Sequence, residues 1–138
     1  MQVVPYLNFN GDCKEAFTFY AECLGGTITT MMTHGETEMA QHLPAEWHSR
    51  IMHASMKIGD ASLMASDGRP GETVKPHGIY VTLQVDTPEE AERIFNALAE
   101  NGSVEMPIQK TFWSERFGMT TDRFGTPWMI NCDMQQGA

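Results

Sequence analysis

The chain has 138 residues, enough for one domain of ordinary size that buries its own core without disulfide or metal staples. It carries 18 acidic against 9 basic side chains, a net charge of −9, and the cations are scattered, so neither nucleic acid nor an anionic membrane surface is an expected partner. The three cysteines, Cys13, Cys23 and Cys132, form no CxxC pair, which points to reduced thiols in a cytoplasmic protein rather than a disulfide or zinc framework.

The opening MQVVPYLNF has no basic start, and no apolar run approaches the length of a membrane span, so a soluble, cytoplasmic protein is expected. Methionine is frequent, at 11 residues, and its flexible thioether suits irregular core gaps first and varied ligands second.

Val3 to Phe9 reads as a first strand. Asp12 then starts a helix as a cap, with Glu15 placed to complete a capping box. Cys13, Ala16, Phe17, Tyr20, Ala21 and Leu24 recur on one helical face, and Gly25 with Gly26 stops the run. TITTMMT, Thr27 to Thr33, is a β-branched strand. The polar stretch 34–49 has no period and contains Pro44, so it reads as a long loop with at most one helical turn at Pro44 to Trp47. Arg50 to Ile58 and Ala61 to Asp67 form a hairpin about Gly59 and Asp60.

After a Pro- and Gly-rich linker, 68–77, the order repeats. His77 to Asp86 alternates as a strand, Thr87-Pro88-Glu89-Glu90 starts a helix, and Ala91, Ile94, Phe95, Leu98 and Ala99 give its buried stripe. Ser103 to Lys110 is a strand marked as an edge by Pro107. Arg116 to Thr121 and Pro127 to Cys132 close the unit as a hairpin punctuated by Asp122, Gly125 and Pro127. The expected fold is α+β: two βαβββ modules, 1–67 and 78–138, one structural domain in which curved mixed sheets surround a cavity.

The segments YLNFNGDCKEAFTFY, IMHASMKIGDASLMASD and FWSERFGMTTDRFGTPWMINC, set in a doubled βαβββ order, resemble the PhnB-like branch of the vicinal oxygen chelate (glyoxalase/bleomycin resistance/dioxygenase) superfamily. That branch often carries a 3-demethylubiquinone 3-methyltransferase label, but the chain has no glycine-rich strand-to-helix loop to cradle a nucleotide-like cofactor, and no cofactor is expected. In the superfamily's enzymes the first and last strands of each half supply the ligands of a divalent metal. Carried over, those places fall on Pro5, Met64, Tyr80 and Met129, none a carboxylate or imidazole, so the resemblance implies a fold without that metal.

Strand parity selects the cavity candidates. If Met52, Ala54, Met56, Leu63 and Ala65 face the helix, then His53, Ser55, Lys57, Ser62, Met64 and Ser66 face the cavity. The same logic gives Tyr80, Thr82, Gln84, Phe117, Met119, Thr121 and Met129 in the second half, with Trp113 and Arg116 near the entrance. His53 reads as a structural histidine before a general base or an isolated metal ligand, and His34, His42 and His48, crowded in one loop, read as solvated residues before a metal cluster. Trp113 with Arg116 reads either as a clamp for a planar or anionic ligand or, for Arg116, as a partner of Glu115 or Asp122. The expectation is a metal-free, small-molecule-binding homodimer. The alternatives are a metal-dependent or acid–base lyase- or dioxygenase-type enzyme with a non-standard site using His53, Tyr80 and Arg116, or a drug-sequestering resistance protein.

Overall fold

The structure, a computed structural model, describes residues 1–72 and 75–134. Two compact units, Met1–Val74 and Lys75–Ala138, divide the chain. The expected linker includes residues 73 and 74, and the expected second module includes 135–138, which lie outside the described residues. Each unit is built as strand, helix and three strands, and each holds an open four-stranded mixed sheet with one helix on one face.

In the first unit β1 (Tyr6–Phe9), α1 (Cys13–Leu24), β2 (Thr27–Thr33), β3 (Ile51–Ile58) and β4 (Ala61–Asp67) give the sheet order β1-β4-β3-β2. The two-residue Gly59-Asp60 turn makes β3 and β4 antiparallel, whereas β1 runs parallel to β4. Helix α1 buries Cys13, Ala16, Phe17, Tyr20 and Cys23, and the sheet buries Phe9, Ala54, Met56, Leu63 and Ala65. Each fully buried large apolar side chain contributes about 1.5–3 kcal/mol. Gly25 ends the helix at φ +68°, where a Cβ would be strained.

Two details depart from the sequence expectation. Asp12 makes no side-chain capping bond. Instead Asp67 Oδ1 accepts the N–H groups of Gly11 (2.8 Å) and Cys13 (3.0 Å), and its Oδ2 accepts the Ile51 N–H at 2.8 Å. Near the start of β3 the register slips by one residue between Met32/His53 and Thr33/Ile51, so Ile51 is buried while Met52 is half-buried.

The stretch 34–49 is more ordered than a plain loop. It forms three 3₁₀ turns, His34–Glu36, Glu38–His42 and Ala45–Trp47, the last at the turn read from the sequence. His48 Nε2 lies 2.8 Å from Ala40 O and 3.2 Å from Leu43 O, and the His34 ring stands edge-on to Trp47. His48 is therefore a half-buried clasp and not a solvated loop residue.

The second unit comprises β5 (Val81–Val85), α2 (Pro88–Ala99), β6 (Ser103–Gln109), β7 (Ser114–Thr121) and β8 (Pro127–Asp133), in the sheet order β5-β8-β7-β6. Thr87 caps α2 as read, accepting the Glu90 N–H at 3.1 Å with Pro88 in the first turn. Strand β6, with Pro107, lies at the sheet edge. Strand β5 is shorter than expected, because Gly78 turns at φ +76° and leaves Ile79 70% exposed. The β7–β8 turn is held by buried Asp122, whose Oδ1 accepts Phe124 N (2.9 Å) and Thr126 N (3.0 Å) and whose Oδ2 accepts Trp128 Nε1 at 2.8 Å.

Candidate functional site

In each unit the helix covers one sheet face, and the candidate site residues concentrate on the other. On β3 and β4, His53, Ser55, Met64 and Ser66 are half-buried and alternate with the buried Ala54, Leu63 and Ala65. Exposed Tyr6 on β1 joins them: its hydroxyl is hydrogen-bonded to His53 Nδ1 at 3.2 Å, and the two rings stack at 5.8 Å. Asn8 lies beside Ser66, with Ser66 Oγ donating to Asn8 Oδ1 at the 3.5 Å limit.

On the helix-free face of the second unit, register sets Thr82 beside Met129 and Gln84 beside Asn131. Met119 is the partner of Met129, and Phe117 of Asn131. A polar cluster crosses this face. Asn131 Nδ2 donates to Gln84 Oε1 (2.7 Å) and to Asp133 Oδ1 (2.9 Å), and Gln84 Nε2 reaches both Asp133 oxygens at 3.3–3.4 Å. Ser114 Oγ donates to Asn131 Oδ1. Thr82 Oγ1 lies 3.7 Å from Met129 Sδ. Trp113, 49% exposed, rests 5.6 Å from the Phe117 ring and 4.7 Å from Phe112.

Arg116 does not join this group. It is the register partner of buried Cys132, on the helix side, where its Nε donates to Glu92 Oε1 on α2 at 2.9 Å and its Nη1 to the Glu115 carbonyl at 2.6 Å. A register slip between Ser114 and Arg116 leaves Glu115 as the extra residue, and strand alternation then sends Arg116 and Phe117 to opposite faces. Of the two readings of Arg116, the ion pair is the one seen, with Glu92 rather than Glu115 or Asp122 as its carboxylate, while Trp113 rests on Phe117. Tyr80 precedes β5 and is half-buried.

Tyr6, Asn8, Phe112, Ser114, Asn131 and Asp133 of these clusters are not among the candidates read from the sequence. Asn131 and Asp133 follow Met129 at the strand period of two, so parity carried to the end of β8 identifies them. Tyr6 is placed by register alone, opposite Met64. The thiols lie elsewhere: all three cysteines are buried and none is in a disulfide. Burial, with Asp67 and Asp12 nearby, pushes the Cys13 thiol up to about 12, and burial first, then Glu115, Asp133 and Asp86, pushes Cys132 upward against the opposing pull of Arg116.

A model of the Glyoxalase/Bleomycin resistance protein/Dioxygenase superfamily matches residues 3–130. The chain belongs to that superfamily. It is 36% identical over 144 residues to the Escherichia coli protein YjdN, covering 99% of this chain and 98% of that one. It is 49% identical to PA1353 of Pseudomonas aeruginosa, whose crystal structure superposes with a TM-score of 0.89 over 98% of this chain and 99% of that one. The PhnB protein of Bacillus cereus, which bears a provisional 3-demethylubiquinone-9 3-methyltransferase name, shares the fold at 23% identity and a TM-score of 0.79, over 96% of this chain and 99% of that one.

The divalent metal implied by the superfamily's enzymes does not fit these residues. Among the described residues, no three His, Cys, Asp or Glu side chains group closely enough to hold an ion. Along the first and last strands of each unit, the helix-free face presents tyrosine, amide, hydroxyl and thioether groups, with Asp133 as its carboxylate. A hard or borderline divalent ion needs several carboxylates or imidazoles. Among the described residues, no helix is long and apolar enough to cross a membrane.

Proposed function

We propose that this chain binds a small organic molecule on the helix-free faces of its sheets, as a cytoplasmic homodimer, and without the superfamily's divalent ion. The observation that carries the reading is the composition of the β5-β8-β7-β6 face. There the apolar Met119, Met129 and Phe117 adjoin the amide and carboxylate cluster of Gln84, Asn131 and Asp133. Apolar walls with a few convergent polar groups are the usual make-up of a small-molecule site.

The test is native mass spectrometry of the protein purified from cell extract, paired with a thermal-shift screen of organic acids, amines and aromatics. Bound compound whose affinity falls at least tenfold in Gln84→Ala and Phe117→Ala supports the reading. Absence of any bound compound in both measurements, or affinity unchanged in both variants, overturns it. Light scattering that shows only monomer removes the dimer.

A second reading is an acid–base enzyme, favoured by the Tyr6–His53 hydrogen bond. A hydroxyl held on one ring nitrogen fixes the tautomer and presents the other to a substrate. Turnover of a bound compound that survives both His53→Ala and Tyr6→Phe rules this out.

A further inference from the structure

We propose that the second unit carries a soft-metal site, in which Met106, Met119 and Met129 together bind a monovalent cation of the copper(I) or silver(I) type. Register is what brings the three together: Met106 on β6 is the partner of Met119 on β7, and Met119 is the partner of Met129 on β8. Cross-strand partners share a face and stand about 4.5–5.5 Å apart at Cα, so three thioethers on three adjacent strands form one continuous row.

The ordinary use of methionine is core filling, and Met56 shows it, fully buried on the helix side of the first sheet. The row is different. All three of its members are half-buried on the face that α2 does not cover. Thr82 Oγ1, 3.7 Å from Met129 Sδ, already sets a hydroxyl against one sulfur.

Thioethers are neutral, polarizable donors. They compete poorly with water for a hard ion such as magnesium or calcium and well for copper(I). The three rotatable bonds of each side chain let the outer two sulfurs lean toward the central one while the backbone stays in register. The row supplies no charge of its own. Asp133, four residues beyond Met129 on the same strand face, places a carboxylate two rows away, and the chain as a whole carries −9. The site revises the expectation of a metal-free face and stands independently of the organic-ligand reading, under which the same methionines are only an adaptable apolar bed.

The two uses separate in a titration of the full chain, labelled with ¹³C-methyl methionine, with silver(I) nitrate in chloride-free buffer. Assignment comes from single Met→Leu variants, which nearly conserve volume. The methyl resonances of Met106, Met119 and Met129 are expected to move together in one saturating step. In Met119→Leu, and independently in the edge-strand variant Met106→Leu, the joint shift of the remaining pair is lost, while Met64→Leu leaves it intact. Three resonances that stay fixed, that move with separate midpoints, or that are unmoved while silver is taken up by the thiols alone overturn the site.

Discussion

Asp67 Oδ1 accepts the backbone N–H of Cys13 at 3.0 Å across 54 positions of sequence, and so fastens the first turn of α1 to the last residue of β4. The same carboxylate holds Gly11 N and Ile51 N, so one buried side chain ties the entry to α1, the start of β3 and the end of β4. Removing it strands three amide hydrogens, and a buried donor left unpaired costs about 1–3 kcal/mol. Asp67→Ala is expected to lower stability by about 3 kcal/mol or more in urea unfolding, and Asp12→Ala by less than about 0.5 kcal/mol, since Asp12 makes no capping bond. Equal losses in the two variants contradict this division of labour.

Gly118 is set by packing rather than by a turn. A Cβ there would lie 2.8 Å from the Phe95 ring of α2 and 3.0 Å from the Ile108 Cα. Gly118→Ala is expected to destabilise by about 1–3 kcal/mol. Adding Phe95→Leu relieves the ring contact but not the backbone one, so recovery is partial. A neutral Gly118→Ala in the same unfolding assay shows that the helix rides farther from the sheet.

How much of this was legible in advance depends on the range of the interaction. Thr87 with Glu90, the Gly25 stop and the edge position of Pro107 are local matters of capping, handedness and a missing N–H, and each was readable from a few residues. The cap from Asp67 was not, because it reaches from another strand. The slip that buries Ile51 was hidden for a related reason: one extra residue inverts parity, and nothing in IMH marks it. Arg116, expected near the entrance, alternates with Phe117 and so lies on the helix side, beside Glu92.

Cys13 makes stability sensitive to alkaline pH. Its folded-state pKa is raised to about 12, against 9.0 for a free thiol, first by burial and then by Asp67 and Asp12. The thiol is neutral when protonated, so the folded state holds the proton that the unfolded chain releases. The contribution is fully present below pH 9 and is lost as the pH climbs from 9 toward about 12. Between pH 8 and 10.5 the stability gap between wild type and Cys13→Ala is expected to narrow, by about 2 kcal/mol at most, since each unit is worth about 1.4 kcal/mol. A gap that stays constant across that range shows Cys13 to be titrating normally.

Tyr6 and His53 make a pair whose hydrogen bond can be seen directly. With Tyr6 Oη 3.2 Å from His53 Nδ1, Tyr6→Phe is expected to move the His53 Nδ1 nitrogen resonance and its tautomer balance while costing less than about 1 kcal/mol of stability, because Tyr6 is exposed. An unchanged ¹⁵N spectrum of His53 means the two groups are merely adjacent.

Arg116 offers the sharpest separation of structure from ligand. Its side chain is about one-quarter exposed and that of Glu92 about half (28% and 49%), so solvent screens the 2.9 Å pair. A double-mutant cycle of Arg116→Gln and Glu92→Gln is expected to give a coupling of no more than about 1 kcal/mol, smaller still at high salt. Because the guanidinium is spent on α2, Arg116→Gln is also expected to leave the affinity for any compound found on the helix-free face within twofold. Phe117→Ala, one residue on and on the other face, lowers it tenfold or more. Affinity that falls with Arg116→Gln as steeply as with Phe117→Ala puts the guanidinium back beside the ligand and requires the Glu92 pair to open on binding.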